Sequence, residues 1–236
     1  MEKLCDLLKI EKGVTAIIGG GGKTTMLRVL GEELSARGTV ILTTSTKIFP
    51  FEDIPFTAWE TGAYEERGSE YEEEYCRHIT KSLRSSYCIC TGTPLETSKI
   101  SAPELPFEKL AELADYVIVE ADGSKGLPVK SHESWEPVSP ECANKTVLLM
   151  GLWCFGKPAL EVVHRPHIFC RFADCTARDT VIPASTAKLI RGENLADALF
   201  LNGLTEENLP GALMVKSMLD MPVFAGNLQQ KQWFEF

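Results

Sequence analysis

The residues here whose types and spacing are suited to chemistry are four consecutive glycines, Gly19, Gly20, Gly21 and Gly22, followed by Lys23, Thr24 and Thr25. Glycine reaches positive φ without a Cβ penalty and lets backbone N–H groups approach a ligand closely. An apolar run over residues 14–18 precedes the glycines, and Met26, Leu27, Leu30 and Leu34 follow at helical spacing. The pattern predicts a strand, a loop and a helix whose unpaired first amides face an anion. Lys23 then supplies a point charge to the β and γ phosphates, and the Thr24 hydroxyl is a hard oxygen ligand for Mg²⁺. The spacing is short, because G-x-x-x-x-G-K-[ST] calls for glycine where Ile17 stands, and Gly19 comes two residues too late. A dinucleotide fingerprint fits worse, requiring Gly or Ala at Thr24. The competing reading is a tight glycine turn beside a surface lysine.

A second group of candidates closes the apolar stretch at residues 116–119, where Glu120 and Asp122 follow one another at period two. That spacing puts both carboxylates on one side of an extended strand. Asp122 is expected to hold Mg²⁺ together with Thr24, and Glu120 to orient water, the alternative being a plain Asp-Gly turn. With Lys23, these carboxylates form the candidate catalytic set. Lys47 ends a hydroxyl-rich run after a predicted strand, the place where open α/β sheets put their ligands, so it faces a phosphate or is a solvated lysine. Lys125 and Lys130 lie in a Gly/Pro-rich stretch read as a loop folded over the site, and Arg165 offers a guanidinium to a second anion. His164, His167, Cys170 and Cys175 are spaced in a way that invites zinc, but Pro166 breaks the register and no Cys-x-x-Cys is present.

The elements that must position these residues alternate. Short helices are expected over residues 1–12 and from Thr24 to about Ala36, the latter closed by Gly38 and containing Gly31 as a mark of close packing. Strands are expected at residues 14–18, 39–42, 87–91, 116–120, 146–150, 198–202 and 222–225. Tyr71, Tyr75, Ile79 and Leu83 recur every four residues on a helix face. Ser101 is read as the N-cap of a helix carrying Phe107, Leu110 and Leu113, Ser185 as the cap of another, and a last helix starts near Thr205. The economical fold is α/β, a phosphate-loop NTPase-like, mostly parallel sheet with helices on both faces. It reads as one nucleotide-binding domain over residues 1–236.

The 236 residues carry a formal net charge of −9. Between residues 52 and 75 nine acidic residues stand against Arg67 alone, so almost all of that charge falls on one segment, read as a surface insertion that loops first and turns helical near its end. The remainder is nearly neutral, with no basic face for nucleic acid. No apolar run approaches the roughly 18 residues of a membrane span and no export signal is evident, so the expected location is cytoplasmic and the 8 cysteines are read as reduced thiols, Cys88 and Cys90 among them as small core residues.

Residues 18–25, 43–47 and 120–130, Glu136-Pro137-Val138 and His164-Arg165-Pro166 together resemble, in order, the selenium-dependent hydroxylase accessory proteins of the YqeC family. The resemblance implies a phosphate-loop fold and a role in maturing molybdenum hydroxylases, with an apo-hydroxylase or its cofactor as partner. Carried over by position, it makes residues 19–25 the phosphate loop, Asp122 the acidic partner, and Lys125 and Arg165 motif residues of unassigned role. Where related chains carry Asn-Lys-x-Asp to read guanine, this one has Asn202-Gly203-Leu204-Thr205, which favours ATP slightly over GTP. Three functions stay open at this point: an Mg²⁺-dependent nucleoside triphosphatase, a small-molecule kinase, and a nucleotide-gated escort without turnover.

Overall fold

The computed structural model describes residues 2–236. Its strands are β1 (Gly13–Gly19), β2 (Val40–Thr44), β3 (Phe56–Ala58), β4 (Cys88–Pro94), β5 (Ile100–Ser101), β6 (Tyr116–Glu120), β7 (Val129–Lys130), β8 (Ala143–Gly151), β9 (Val163–His164), β10 (Ala198–Asn202), β11 (Val223–Asn227) and β12 (Gln232–Glu235). The helices are α1 (Leu4–Leu7), α2 (Lys23–Leu34), α3 (Thr61–Arg67), α4 (Ser69–Ser86), α5 (Phe107–Leu113), α6 (Ala159–Val162), α7 (Pro166–Ala173), α8 (Pro183–Glu193) and α9 (Leu209–Ser217).

The main sheet runs β12-β11-β10-β8-β1-β6-β2-β4-β3, with β5 on β4, and only the β11–β12 and β4–β5 pairings are antiparallel. β1 therefore lies in the middle, between β8 and the acidic strand β6, with Ile17 level with Glu120. Alternation along β1 divides the core. Ile17 packs toward α1 and α2 with Leu42, Ile118 and Phe200, whereas Ala16 and Ile18 face α6 to α9. Val14 continues that second face under α4 and α5. These buried strands read as continuous apolar runs because both faces are covered, and the expected α/β fold with helices on both sides is what the chain adopts.

Several local expectations are corrected. The first helix is one turn, because the chain bends at Lys9 (φ 51); the N–H groups of Leu4 and Cys5 are received by the Glu33 carboxylate of α2 at 3.0 and 2.8 Å. α2 stops at Leu34, and Gly38 is needed for a different reason: a Cβ there would stand 2.4 Å from the Asp115 carboxylate. Gly31 does mark close packing, with Cys88 Sγ and Leu42 each 3.1 Å from where its Cβ would be. Ser101 is not a cap but part of β5, held on β4, and α5 starts only after Pro106. Ser185 lies inside the first turn of α8, its hydroxyl accepting the Ile182 N–H from within the helix. Thr205 precedes α9 in a turn that Asn208 closes through the Thr205 N–H. The acidic segment is mostly ordered secondary structure rather than loop: it supplies β3 and α3 and opens α4, whose Tyr71 and Tyr75 pack around the buried Trp59.

Candidate functional site

The glycine loop joins β1 to α2 at the C-terminal edge of the sheet. Gly19, Gly21 and Gly22 take φ of +94°, +82° and +122°, and Cβ atoms at Gly19 and Gly20 would fall 2.3 Å from Leu149 O and 2.4 Å from Leu127 O. No other residue fits there without moving the backbone. The expectation that the amides of all four glycines turn to a ligand is corrected at three of them. Gly19 N–H donates to Asp122 Oδ2 (2.7 Å), Gly20 N–H to Leu149 O (2.8 Å) and Gly21 N–H to Leu127 O (3.1 Å). A loop two residues shorter than the full phosphate-loop pattern is drawn tight against β8 and the 124–128 segment. The amides left to an incoming anion are those that open α2, from Gly22 to Thr25, where a helix has no carbonyl of its own to offer.

Lys23 is 4% exposed. Its Nζ donates to Gly19 O at 2.7 Å and pairs with Asp122 Oδ1 at 3.0 Å and Glu120 Oε1 at 3.8 Å. Both carboxylates thus stand on one side of the strand end, as their spacing requires. They differ in what else they touch. The Thr24 hydroxyl donates to Glu120 Oε2 at 3.0 Å, so the carboxylate that meets Thr24 at the floor of the cavity is Glu120. Burial pushes the Glu120 pKa above the ordinary range, against the pull of Lys23 and Thr24. Asp122 is fully enclosed. Burial opposes its charge, but the hydrogen bond with His132 and the charges of Lys23 and Lys130 outweigh that penalty and hold its pKa below the usual value.

His132 and Glu193 are site residues that the sequence reading missed. Nε2 of His132 lies 2.8 Å from Asp122 Oδ2 and Nδ1 lies 2.8 Å from Glu193 Oε2. Only an imidazolium donates from both nitrogens, and these two bonds raise the His132 pKa in spite of burial. Nothing local marks the residue in the sequence, since Glu193 lies 61 positions away. Asn202 ties the loop to two other segments: Nδ2 donates to Gly21 O at 2.7 Å, and Oδ1 accepts from the N–H groups of Gly203 and Leu228. Trp153 was also missed. Its ring covers the loop at Gly21, and a Cβ on Gly151 would stand 2.6 Å from it.

An open cavity of about 890 Å³ lies in front of the loop, lined by Gly21 to Thr25, Glu120, Lys47, Lys125 and His164 among others. Lys47 and Lys125 are thus brought to the same space as Lys23. Lys130 is not. Its buried Nζ donates to Gly123 O (2.8 Å) and pairs with Glu136 (3.0 Å), and burial lowers its pKa to about 8, so it braces the loop from inside. Arg165 lines the cavity at φ 65, but its guanidinium is already paired with Glu136 and lies 3.8 Å from Glu133. Burial, with Lys130, Lys125 and Lys23 nearby, keeps the His164 pKa below its usual value. Among the described residues no three His, Cys, Asp or Glu side chains are grouped to hold a metal by themselves. Burial pushes the Cys88 and Cys90 thiols up to about 12, so at neutral pH they are protonated and not reactive thiolates. Among the described residues no helix is long and apolar enough to cross a membrane.

A family model described as "YqeC protein" matches residues 15–167. A relative from Escherichia coli (strain K12), "Uncharacterized protein YqeC", is 30% identical over 180 residues, which span 75% of this chain and 64% of the relative. The chain therefore covers just under two thirds of that relative's length. Among solved structures, the signal recognition particle receptor FtsY from Elizabethkingia anophelis aligns at a TM-score of 0.41 and 12% identity, over 98% of this chain and 67% of that one.

Proposed function

The chain belongs to the YqeC family, and from that premise we propose that it binds a nucleoside triphosphate with Mg²⁺ at the head of α2 and hydrolyses it, as an accessory factor in the maturation of selenium-dependent molybdenum hydroxylases. The observation that carries the nucleotide reading is the convergence of Lys23, Thr24 and Glu120 where the first amides of α2 open into the cavity. The maturation role draws its support from family membership.

A divalent cation suits this floor: a threonine hydroxyl and a carboxylate within hydrogen-bond distance of each other are hard oxygen donors. Buried Glu120, with its raised pKa, gains a counter-charge from such an ion. Thr24 and Glu120 would hold it, with Asp122 behind them, and Mg²⁺ bound there would neutralise charge on the phosphate oxygens. The amides of residues 22–25 bind the phosphate chain, and Lys23 turns from Gly19 O toward it. Lys125, on the loop facing α2, meets charge at the terminal phosphate. Asp122 is the positioning group: through Gly19 N–H and Lys23 it holds both the loop and the cation that the reaction needs. The residues after Asn202, Gly203-Leu204-Thr205, carry neither the lysine nor the aspartate of a guanine-reading Asn-Lys-x-Asp sequence, in line with ATP.

Calorimetry with ATP and GTP, each with and without Mg²⁺, together with measurement of phosphate release, tests the reading. Micromolar or tighter binding that depends on Mg²⁺ and yields slow release is the expected result; absence of binding by either nucleotide overturns it. Phosphate transfer to an added small molecule in place of release would favour a kinase.

A further inference from the structure

The cavity extends past the head of α2, and its far wall has its own chemistry. About 890 Å³ lies near the upper end of the roughly 300–1,000 Å³ of small-molecule sites, leaving room for a second ligand beside the phosphates. Opposite the head of α2 the wall is built from Lys47, Ile48 and Phe49, which follow β2, and from Lys99, which precedes β5. Two backbone hydrogen bonds lock these segments together, Ile48 N–H to Ile100 O at 3.0 Å and Ile100 N–H to Ile48 O at 2.8 Å. Buried Ile48 anchors the pair, so Phe49 and Lys99 are presented by a fixed bridge.

Of the cations around the cavity, Lys23 is committed to Asp122 and Glu120, and Arg165 to Glu136. Among the described residues Lys47, Lys99 and Lys125 have no carboxylate partner in an ion pair, in a chain whose net charge is −9. Lys99 instead lies over the Phe49 ring at 4.9 Å, and that ring is 60% exposed. Uncompensated lysines around a concave surface raise the local concentration of anions. An exposed ring beside them suits the organic part of such an anion.

We propose that this wall binds a second substrate, a small organic dianion of the phosphate monoester type, its anionic group between Lys99 and Lys47 and its organic part against Phe49, across the cavity from the terminal phosphate. The proposal rests on the nucleotide reading for what fills the α2 side, and the test separates the two. The full chain is saturated with Mg²⁺ and a non-hydrolysable ATP analogue, so that the head of α2 is occupied, and is then titrated calorimetrically with phenyl phosphate. The expected result is one bound phenyl phosphate per chain, weakened about tenfold or more by Lys99→Glu and measurably by Phe49→Ser, while the affinity for the analogue changes less than about twofold. Absence of phenyl phosphate binding to the loaded protein, or equal affinity in Lys99→Glu, overturns the proposal. If the analogue itself fails to bind, the nucleotide reading has failed, and the titration is repeated on the nucleotide-free chain. Sensitivity to Lys99→Glu there upholds the far wall, whereas sensitivity to Lys23→Ala alone places the phosphate at α2 and overturns it.

Discussion

Asp122 Oδ2 accepts the backbone N–H of Gly19 at 2.7 Å, joining residues 103 positions apart and tying the chain just beyond β6 to the first glycine of the loop. The same carboxylate meets Lys23, His132 and Lys130. It is a hub of charge inside the protein, and it holds the loop together with Leu149 O and Leu127 O. Glu120, two residues earlier, is the carboxylate that touches the Thr24 hydroxyl and the cavity. The two carboxylates thus have separate surroundings, Asp122 holding the loop from inside and Glu120 facing the cavity.

Substitution separates them. Asp122→Asn leaves Lys23, Lys130 and His132 without their common counter-charge, and removing one member of a buried charged set costs about 3–5 kcal/mol. Urea unfolding should show that loss without any nucleotide present. Glu120→Gln keeps the size and the Thr24 contact, so its unfolding midpoint should move far less, while Mg²⁺-dependent nucleotide binding drops. Equal loss of stability in the two variants would contradict this division.

The pH dependence follows from His132. Its pKa is raised above 6.5 in the folded chain, so its contribution to stability is full below about pH 6.5 and disappears as pH rises through the higher native value. Asp122, held below 3.8, acts oppositely: its contribution is present above 3.8 and is lost as pH falls through its native value. Stability from this pair is therefore greatest between those limits. Lys130, lowered to about 8 from 10.5, adds a rise only above pH 8, where the unfolded chain still binds the proton. Unfolding free energies measured between pH 6 and 8 should fall with pH in the wild type relative to His132→Gln, in which the lowered His164 leaves a small rise near pH 6.5.

The positions of β1, α2 and β6 were legible because each declares itself locally: an apolar run, four glycines, and two carboxylates at period two. The fold class followed from alternation of strands and helices. The Asp122–His132–Glu193 chain was hidden, because its members are brought together only by the packing of α8 against the sheet, and no spacing in the sequence encodes that. The loop amides were misjudged for a related reason. That Gly19, Gly20 and Gly21 already have partners depends on Leu149 and Leu127, residues with no signature beyond being apolar. Lys130 and Lys125 looked alike as neighbouring loop lysines. Whether one is buried and the other exposed is decided by the β7–β9 pairing and by Glu136, both tertiary facts.

The close fit of the loop makes a further prediction. A methyl group at Gly20 would sit 2.4 Å from Leu127 O and 2.9 Å from Pro128, both backbone, so neither can yield by a rotamer change. Gly20→Ala should cost about 1–3 kcal/mol as overpacking. It should weaken nucleotide binding through displacement of the 124–128 segment, which carries Lys125 into the cavity. Gly126, whose Cβ position is open, is the contrast: its φ of +78° makes Gly126→Ala strained but free of clashes. Thermal unfolding of the two variants, compared with their nucleotide affinities, distinguishes crowding of the loop from backbone strain.

Lys23 is the most direct test of what the loop is for, because its present partners and its proposed ligand compete for one ammonium. In the structure Nζ is satisfied by Gly19 O, Asp122 and Glu120, so leaving them for a phosphate exchanges three contacts for new ones. Binding is favourable only if Mg²⁺ compensates Glu120 at the same time, which makes nucleotide affinity and Mg²⁺ affinity mutually dependent. Lys23→Ala should lose about 1.5–3 kcal/mol of nucleotide binding, the worth of a charge-assisted hydrogen bond, and should also lower stability by exposing the imbalance at Asp122. Lys23→Arg keeps the charge but replaces the compact ammonium that donates to Gly19 O with a larger planar fork, so it should retain more stability than Lys23→Ala while recovering little binding. Calorimetry on the three proteins at several Mg²⁺ concentrations decides it. If nucleotide affinity is the same in all three, the loop holds no phosphate, and Lys23 serves only to neutralise Asp122.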